Sequence, residues 1–410
     1  MVIHIIKRIY FFTVFAALSS TLAHSEIFRF SFKEGEIQKM ISSVQEAVYF
    51  NGSFSFRTEI INRIVAKVTE ISEEDRRSAF YSCHFMVSEK TEDGKFNWGK
   101  EYTSTFWRDE MGRYSISDKY FMPMIRDIPS FPEYDVKIGD SWVMQAHEAY
   151  DFSDAFGMKT PIIVPFEVEY KYSGTEEKNG ELLHIIDVRY QKDYVIPANL
   201  LQRMSHIKNE VYPIQTRVES KQRIAWSQEH GNIAFYDEIF TIYLFLNDGE
   251  TVEYTGSSHS KTTFLEKNIE IKEQEDIRKD IEKLNLSDTN VKKTEKGLTI
   301  VLENIQFAPN SAILRDSEKE KLKSIAQVLK KHGKKDILVE GHVVFSSTEE
   351  RRQALSEERA KVVASFLLSL GVSSEEHIFT KGRGGDFPLF PNTSEENKAR
   401  NRRVEITIME

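Results

Sequence analysis

Cysteine is all but absent from these 410 residues. Cys83 stands alone, which excludes an intramolecular disulfide framework and a cysteine-rich zinc site. Positive charge is short as well. Lys and Arg number 55 against 64 Asp and Glu, a formal net charge of −9, which argues against a surface built for nonspecific nucleic-acid binding. Beyond the N-terminal segment no apolar run reaches the roughly 20 residues that a membrane-spanning helix needs. His-Glu-x-x-His, Walker A and Gly-x-Ser-x-Gly patterns are missing. Asp151 and Asp154 lack the glycine and acidic spacing of an EF-hand, and His147-Glu148 has no second histidine at ligand spacing. Cys83 lies in an apolar strand-like run, 80–87, where a thiol is expected to be buried and structural. No acid/base or nucleophile constellation stands out, so the expectation is a non-catalytic protein with no metal and no cofactor.

What is present points to folded, exported protein. Hydrophobic residues make up 40% and charged residues 29%, enough apolar surface for cores in two or three domains. Residues 1–25 read as a signal peptide: Lys7 and Arg8 form a positive start, 9–22 is mostly apolar, and Ala23-His24-Ser25 offers small residues for cleavage before Glu26. Its removal takes the net charge from −9 to −11 and leaves no transmembrane segment in the mature chain. No cysteine follows for lipid attachment. Residues 26–258 read as an antiparallel β-rich region of one or two subdomains. Phe28, Phe30 and Phe32 alternate with polar residues, and Asn51-Gly52, Asp93-Gly94, Asn179-Gly180, Gly231-Asn232 and Asp248-Gly249 are turn signals. A sandwich, half-barrel or barrel would all fit. Most of the 48 Phe, Trp and Tyr residues fall here, either as core or as the wall of a lipid or glycan groove.

Residues 259–290 read as a linker and a charged helix. The Ser/Thr-rich stretch 256–263 is the linker, and 265–284 carries one apolar stripe at Ile277, Ile281 and Leu284. From 291 to 410 strands alternate with helices. Strands are expected at 298–302, 337–340 and 404–408. One helix should start at a Ser317/Glu320 capping box and end at Gly333, and a second should run over 356–370. The segment from Gly297 on is near neutral, with 18 Lys and Arg and 17 Asp and Glu, so the β-rich region carries most of the acidity.

Five ordered motifs give this last part a resemblance. Asn304-Ile-Gln-Phe307, Val339-Glu-Gly-His342, Leu355-Ser-Glu-Glu-Arg-Ala360, Gly382-x-Gly384 with Pro388 and Asn392, and Asn401-Arg-Arg-Val-Glu-Ile406 follow one another at consistent spacing. Together they resemble the OmpA C-terminal domain family, which includes peptidoglycan-associated lipoproteins and the periplasmic part of flagellar stator proteins. The resemblance implies a βαβαβ-type sheet with helices on one side, so the whole chain is expected to be α+β and multidomain. It also implies noncovalent binding of the diamino acid of the peptidoglycan stem, an Asp taking the ammonium and an Arg the carboxylate.

Arg359 occupies the family's Arg position, where a guanidinium fork matches two carboxylate oxygens. In a helix starting at 356 it would also lie in the first turn, where the dipole favours anions. A surface ion pair with Glu357 or Glu358 is its plain structural alternative. Asn310 falls on a family position near the ligand. The family's Asp position holds Val344, 15 residues before Arg359 as in the family, and the preceding Thr position holds Val343. Arg352 replaces an Asn. Loss of one charge-assisted hydrogen bond would weaken binding roughly ten- to a hundredfold. Arg352 would repel an ammonium, and Glu349 or Glu350 could replace the Asp. His342, Arg402 and Arg403 read as packing residues. The resulting expectation is a periplasmic protein, with outer-membrane association left open. It would dock on peptidoglycan and offer its β-rich region to an unidentified envelope protein. The alternative is an OmpA-like scaffold that has lost wall binding and mediates protein–protein contacts.

Overall fold

The computed structural model describes residues 25–409 except 75, 91–95, 152–158, 205–210, 266, 295, 309–310, 333–335 and 345–347. The expected signal peptide up to residue 24, the Asp93-Gly94 turn, Asp154, Gly333 and Asn310 therefore lie outside the described residues.

The N-terminal part is built from β1 (Ile37–Phe50), β2 (Ser53–Ile71), β3 (Ser78–Lys90), β4 (Phe96–Asp109), β5 (Tyr114–Ile116), β6 (Ile125–Arg126), β7 (Ser141–Tyr150), β8 (Ile162–Lys178), β9 (Glu181–Val195), β10 (Pro213–Ser227), β11 (Asn232–Leu246) and β12 (Thr251–Leu265), with a short helix α1 (Ala198–Met204) before β10. Neighbours in sequence pair antiparallel, and β12 pairs with β1. The ladder thus runs β5-β4-β3-β2-β1-β12-β11-β10-β9-β8-β7-β6 as one continuous sheet. Among the described residues β5 and β6 do not pair, so the sheet curls without closing.

The local chemistry accounts for this meander. Asn51 and Gly52 take φ of 49° and 76°, and Asn179 and Gly180 take 55° and 84°, the left-handed pair that a two-residue hairpin requires. In β8 the residues Ile162, Val164, Phe166, Val168, Tyr170 and Tyr172 are all buried, while Glu167, Glu169 and Lys171 between them are exposed. Phe28 and Phe30 are buried as their alternation suggests, but the segment is extended chain with an isolated bridge at Glu26, not a ladder strand. Their rings seal the core: Phe30 meets Trp226 edge-on at 4.8 Å and Phe131 meets it at 4.7 Å.

The stretch 256–263, expected as a linker, is the middle of β12. Its inward hydroxyls explain the error. Ser258 and Ser260 are buried, and Ser258 Oγ lies 3.1 Å from Ser42 Oγ on β1. A polar composition here reflects bonding across strands and not solvation.

The C-terminal part comprises α2 (Lys267–Lys283), β13 (Thr289–Thr294), β14 (Gly297–Leu302), α3 (Asp316–Lys331), β15 (Ile337–Gly341), α4 (Glu349–Ser369), β16 (Ile378–Gly382), α5 (Glu395–Asn401) and β17 (Val404–Met409). Its mixed sheet has the order β13-β14-β17-β15-β16, with β15 and β16 parallel and the other pairs antiparallel. One face packs on the helices through Ile277, Leu322, Ile325, Val363 and Leu367. The expected Ser317/Glu320 capping box does not form: Arg315 is the N-cap without a side-chain bond, and Ser317 already lies inside the first turn. Asp316 and Glu318 favour that end through the helix dipole.

The opposite face of this sheet is covered by the N-terminal part. β16 pairs in parallel with β4, Phe379 opposite Phe96 and Thr380 opposite Asn97. Leu338, Phe379 and Met409 pack with Ile61, Met86 and Trp98. Arg63 of β2, 3% exposed, pairs with Asp336. A sheet buried on both faces explains why β14, β15 and β17 are buried throughout.

Candidate functional site

Helix α4 begins at Glu349, seven residues before the expected start at 356. Residues 349–355 are mostly good helix formers behind Thr348 as N-cap, so the helix extends back. Arg359 therefore sits in the third turn, and the first-turn dipole argument does not apply to it.

Glycines set the depth of α4 on the sheet. A Cβ on Gly341 would collide with the Ser356 carbonyl, and one on Gly382 would lie 2.7 Å from Ser356 Oγ. Only glycine lets the helix lie this close to β15 and β16. Ser356 Oγ then accepts from the Gly384 amide at 2.9 Å, and Gln353 Nε2 donates to the Gly382 carbonyl at 3.0 Å.

With α4 held there, Arg359 reaches the loop after β14. Its Nε donates to the Ser311 carbonyl at 3.2 Å, and its guanidinium lies 4.6 Å from the centre of the Phe307 ring. Phe307 bridges to Leu314 in the same loop. The structure thus brings Arg359 to that loop. Among the described residues no carboxylate pairs with Arg359; Glu357 pairs with Lys361 at 3.0 Å. Burial, and then the Arg402 guanidinium, lower the Arg359 pKa. A half-buried cation with no carboxylate partner among the described residues is a setting suited to an incoming carboxylate.

The positions expected around the family's Asp are apolar or enclosed. Val343 is buried and its amide donates to the Gly384 carbonyl at 2.9 Å. Val344 is half-buried. Arg352 is 6% exposed, and a Cβ added to Gly385 would lie 3.3 Å from its Nε. Its charge is packed under the Gly384-Gly385 turn and does not face solvent. Glu349 and Glu350 are exposed in the first turn of α4, about 15 Å of helical rise from Arg359.

The late loop is held by side chains that the motifs singled out. Asn401 Oδ1 accepts from the Leu389 and Phe390 amides at 2.8 and 3.0 Å. Arg403 donates to Glu405 at 2.7 Å and to the Phe387 carbonyl at 3.0 Å. Burial, then the surrounding Arg403 and Arg383, push the His342 pKa well below the usual histidine range, so the ring stays neutral.

A second charged cluster was not foreseen. Glu101 of β4 bonds Lys296 at 3.0 Å and Lys381 at 3.2 Å and lies 3.4 Å from His84. Arg383 bridges Glu101 and Glu340 at 3.6 and 2.5 Å. His84, Glu101, Lys296, Glu340 and Arg383 line a cleft of about 620 Å³ between the two parts of the chain. No sequence signal announces it, because strand alternation says which side chains share a face and not what covers that face. Elsewhere, His147 pairs with Asp127 at 2.7 Å, Asp151 accepts from Tyr102 at 2.7 Å, and burial pushes the Cys83 pKa up.

The fold and this arrangement define an OmpA-like domain behind a β-rich N-terminal part. Residues 306–402 match the model of the OmpA family. The chain is similar to "Probable lipoprotein YiaD" of Escherichia coli (strain K12), 35% identical over 32% of this chain and 62% of that one. It is also similar to "Peptidoglycan-binding protein ArfA" of Mycobacterium bovis, 35% identical over 25% of this chain and 32% of that one. An outer membrane protein structure from Borrelia burgdorferi B31 is 36% identical over 30% of this chain and 97% of that one, with a TM-score of 0.25. The chain spans 62% and 32% of the length of these two curated relatives. Among the described residues no helix is long and apolar enough to cross a membrane.

Proposed function

We propose that this chain is a non-catalytic cell-envelope protein whose OmpA-like domain docks noncovalently on peptidoglycan peptide stems. Arg359 takes a stem carboxylate, Asn310 is a second ligand residue, and Val344 weakens the hold by removing the family's Asp. The observation that carries this reading is the Arg359 guanidinium, held on Ser311 and Phe307 with no carboxylate partner among the described residues. The name of the mycobacterial relative, a peptidoglycan-binding protein, supports the same reading. Residues 1–25 direct export to the periplasm, and the β-rich part, held at the wall, contacts another envelope component.

A second reading has its own support. Val343 and Arg352 are packed into the fold where a ligand pocket would need polar access, which favours a scaffold for protein contacts. Retention of the mature protein on purified sacculi separates the two. Wild-type retention that Arg359→Ala reduces at least tenfold is the expected result. No wild-type retention, with gain in Val344→Asp, supports the scaffold, and no retention by any variant refutes wall binding by this domain.

A further inference from the structure

The curled N-terminal sheet encloses a cavity of about 230 Å³. Inward residues of β1–β4 and β10–β12 line it, and Pro123, Ile125 and Ile128 from the segment after β5 close it. The wall is largely apolar, with Met40, Ile64, Phe85, Phe106, Ile224 and Ile233.

Arg108 breaks that pattern. It lines the cavity, is 8% exposed and has no carboxylate partner among the described residues. Its guanidinium carbon lies 3.6 Å from the Phe30 ring centre and 5.0 Å from that of Tyr114. The rings offset part of the charge but supply no acceptor, and Nε has no hydrogen-bond partner among the described residues. A buried cation left so is costly. Among the described residues three more unpartnered polar atoms lie on the same wall, Tyr81 Oη, Asn232 Nδ2 and Thr262 Oγ1, on side chains 2%, 4% and 9% exposed. Buried polar atoms without partners are rare, and four around one cavity mark a place built for something polar. The one carboxyl on the wall, Glu238, accepts from Ser220 and Gln222 at 2.6 and 3.1 Å instead. Burial raises its pKa, which favours the neutral acid.

We propose that this cavity binds a small aliphatic monocarboxylate, its carboxylate on Arg108 and its chain among the apolar side chains of the curled sheet. Size follows from the volume. A cavity of about 150 Å³ holds benzene, so about 230 Å³ holds roughly nine or ten heavy atoms, the size of octanoate. An anion on Arg108 supplies the missing acceptor, and the apolar wall excludes a short polar anion. The site is independent of the wall-binding reading of the C-terminal domain.

The test is calorimetric titration of the full mature chain with octanoate and with octan-1-ol. Octanoate should saturate one site and bind at least tenfold more tightly than octanol. Arg108→Met should bring octanoate to the level of octanol and leave octanol unchanged, whereas Ile224→Trp, which fills the cavity, should remove both. Circular dichroism reports whether each variant folds, and if Arg108→Met does not, the wild-type comparison decides. Absence of saturable octanoate binding, equal affinity for octanoate and octanol, or binding that survives in Ile224→Trp overturns the proposal.

Discussion

Glu101→Gln is the sharpest probe of how the two parts of this chain are joined. The Glu101 carboxylate accepts from Lys296 Nζ at 3.0 Å, Lys381 Nζ at 3.2 Å and Trp98 Nε1 at 2.7 Å. The side chain is 21% exposed. Glutamine keeps the shape and one acceptor oxygen but removes the charge. Loss of a partner from a buried ion pair costs about 3–5 kcal/mol. Here Glu340 still neutralises Lys296 and Arg383, at 3.4 and 2.5 Å, and water reaches the site. The expected loss is therefore about 2 kcal/mol. Burial alone would raise the Glu101 pKa, but the His84 hydrogen bond and the Lys296 and Lys381 ammoniums outweigh it and hold the carboxyl far below its usual range. A lowered folded pKa contributes stability above the unfolded value, about 4.3, and loses it as pH falls further, by about 1.4 kcal/mol per pH unit. The gap between wild type and Glu101→Gln should thus be about 2 kcal/mol at pH 7 and a few tenths at pH 3. Urea unfolding followed by tryptophan fluorescence measures it, with Trp98 in the interface itself. A gap under about 0.5 kcal/mol at pH 7, or one unchanged at pH 3, would refute the electrostatic account of the junction.

Two further substitutions test close packing. Gly256 pairs with Glu46 on β1 and Phe240 on β11, and a Cβ there would lie 2.6 Å from the Gln45 carbonyl and 2.5 Å from the Phe240 ring. Gly256→Val should cost about 1–3 kcal/mol in urea unfolding, whereas a flexible linker would tolerate it within about 0.5 kcal/mol. Gly341→Ala should cost about 3 kcal/mol, because its Cβ would meet the Ser356 carbonyl of α4, and an unchanged melting temperature would show that the helix has room to move.

How far the sequence could be read depended on whether a signal was local. Turn chemistry placed the hairpins at Asn51-Gly52 and Asn179-Gly180, because positive φ is a property of those residues themselves. Apolar patterning and turn signals placed β14, α3, β15, α4 and β17 of the OmpA-like domain, whereas β16 was not expected. The misreadings came where composition imitated something else. Serines and threonines in 256–263 looked solvated but bond across β12, and the helical residues 349–355 lengthened α4 past its motif, which moved Arg359 to the third turn.

By itself the sequence determined the alternation of buried and exposed strand faces, the turns between them and the α/β pattern of the last third. The tertiary structure decided what those faces meet. It set Arg359 against Ser311 and Phe307, packed Arg352 under the Gly384-Gly385 turn, covered the second face of the C-terminal sheet with β2–β4, and left Arg108 inside the curled sheet with no carboxylate partner among the described residues. Periodicity reports which side chains share a face, but the partner of a face comes from residues distant in the chain. A charge becomes costly or useful only once that partner has removed its water.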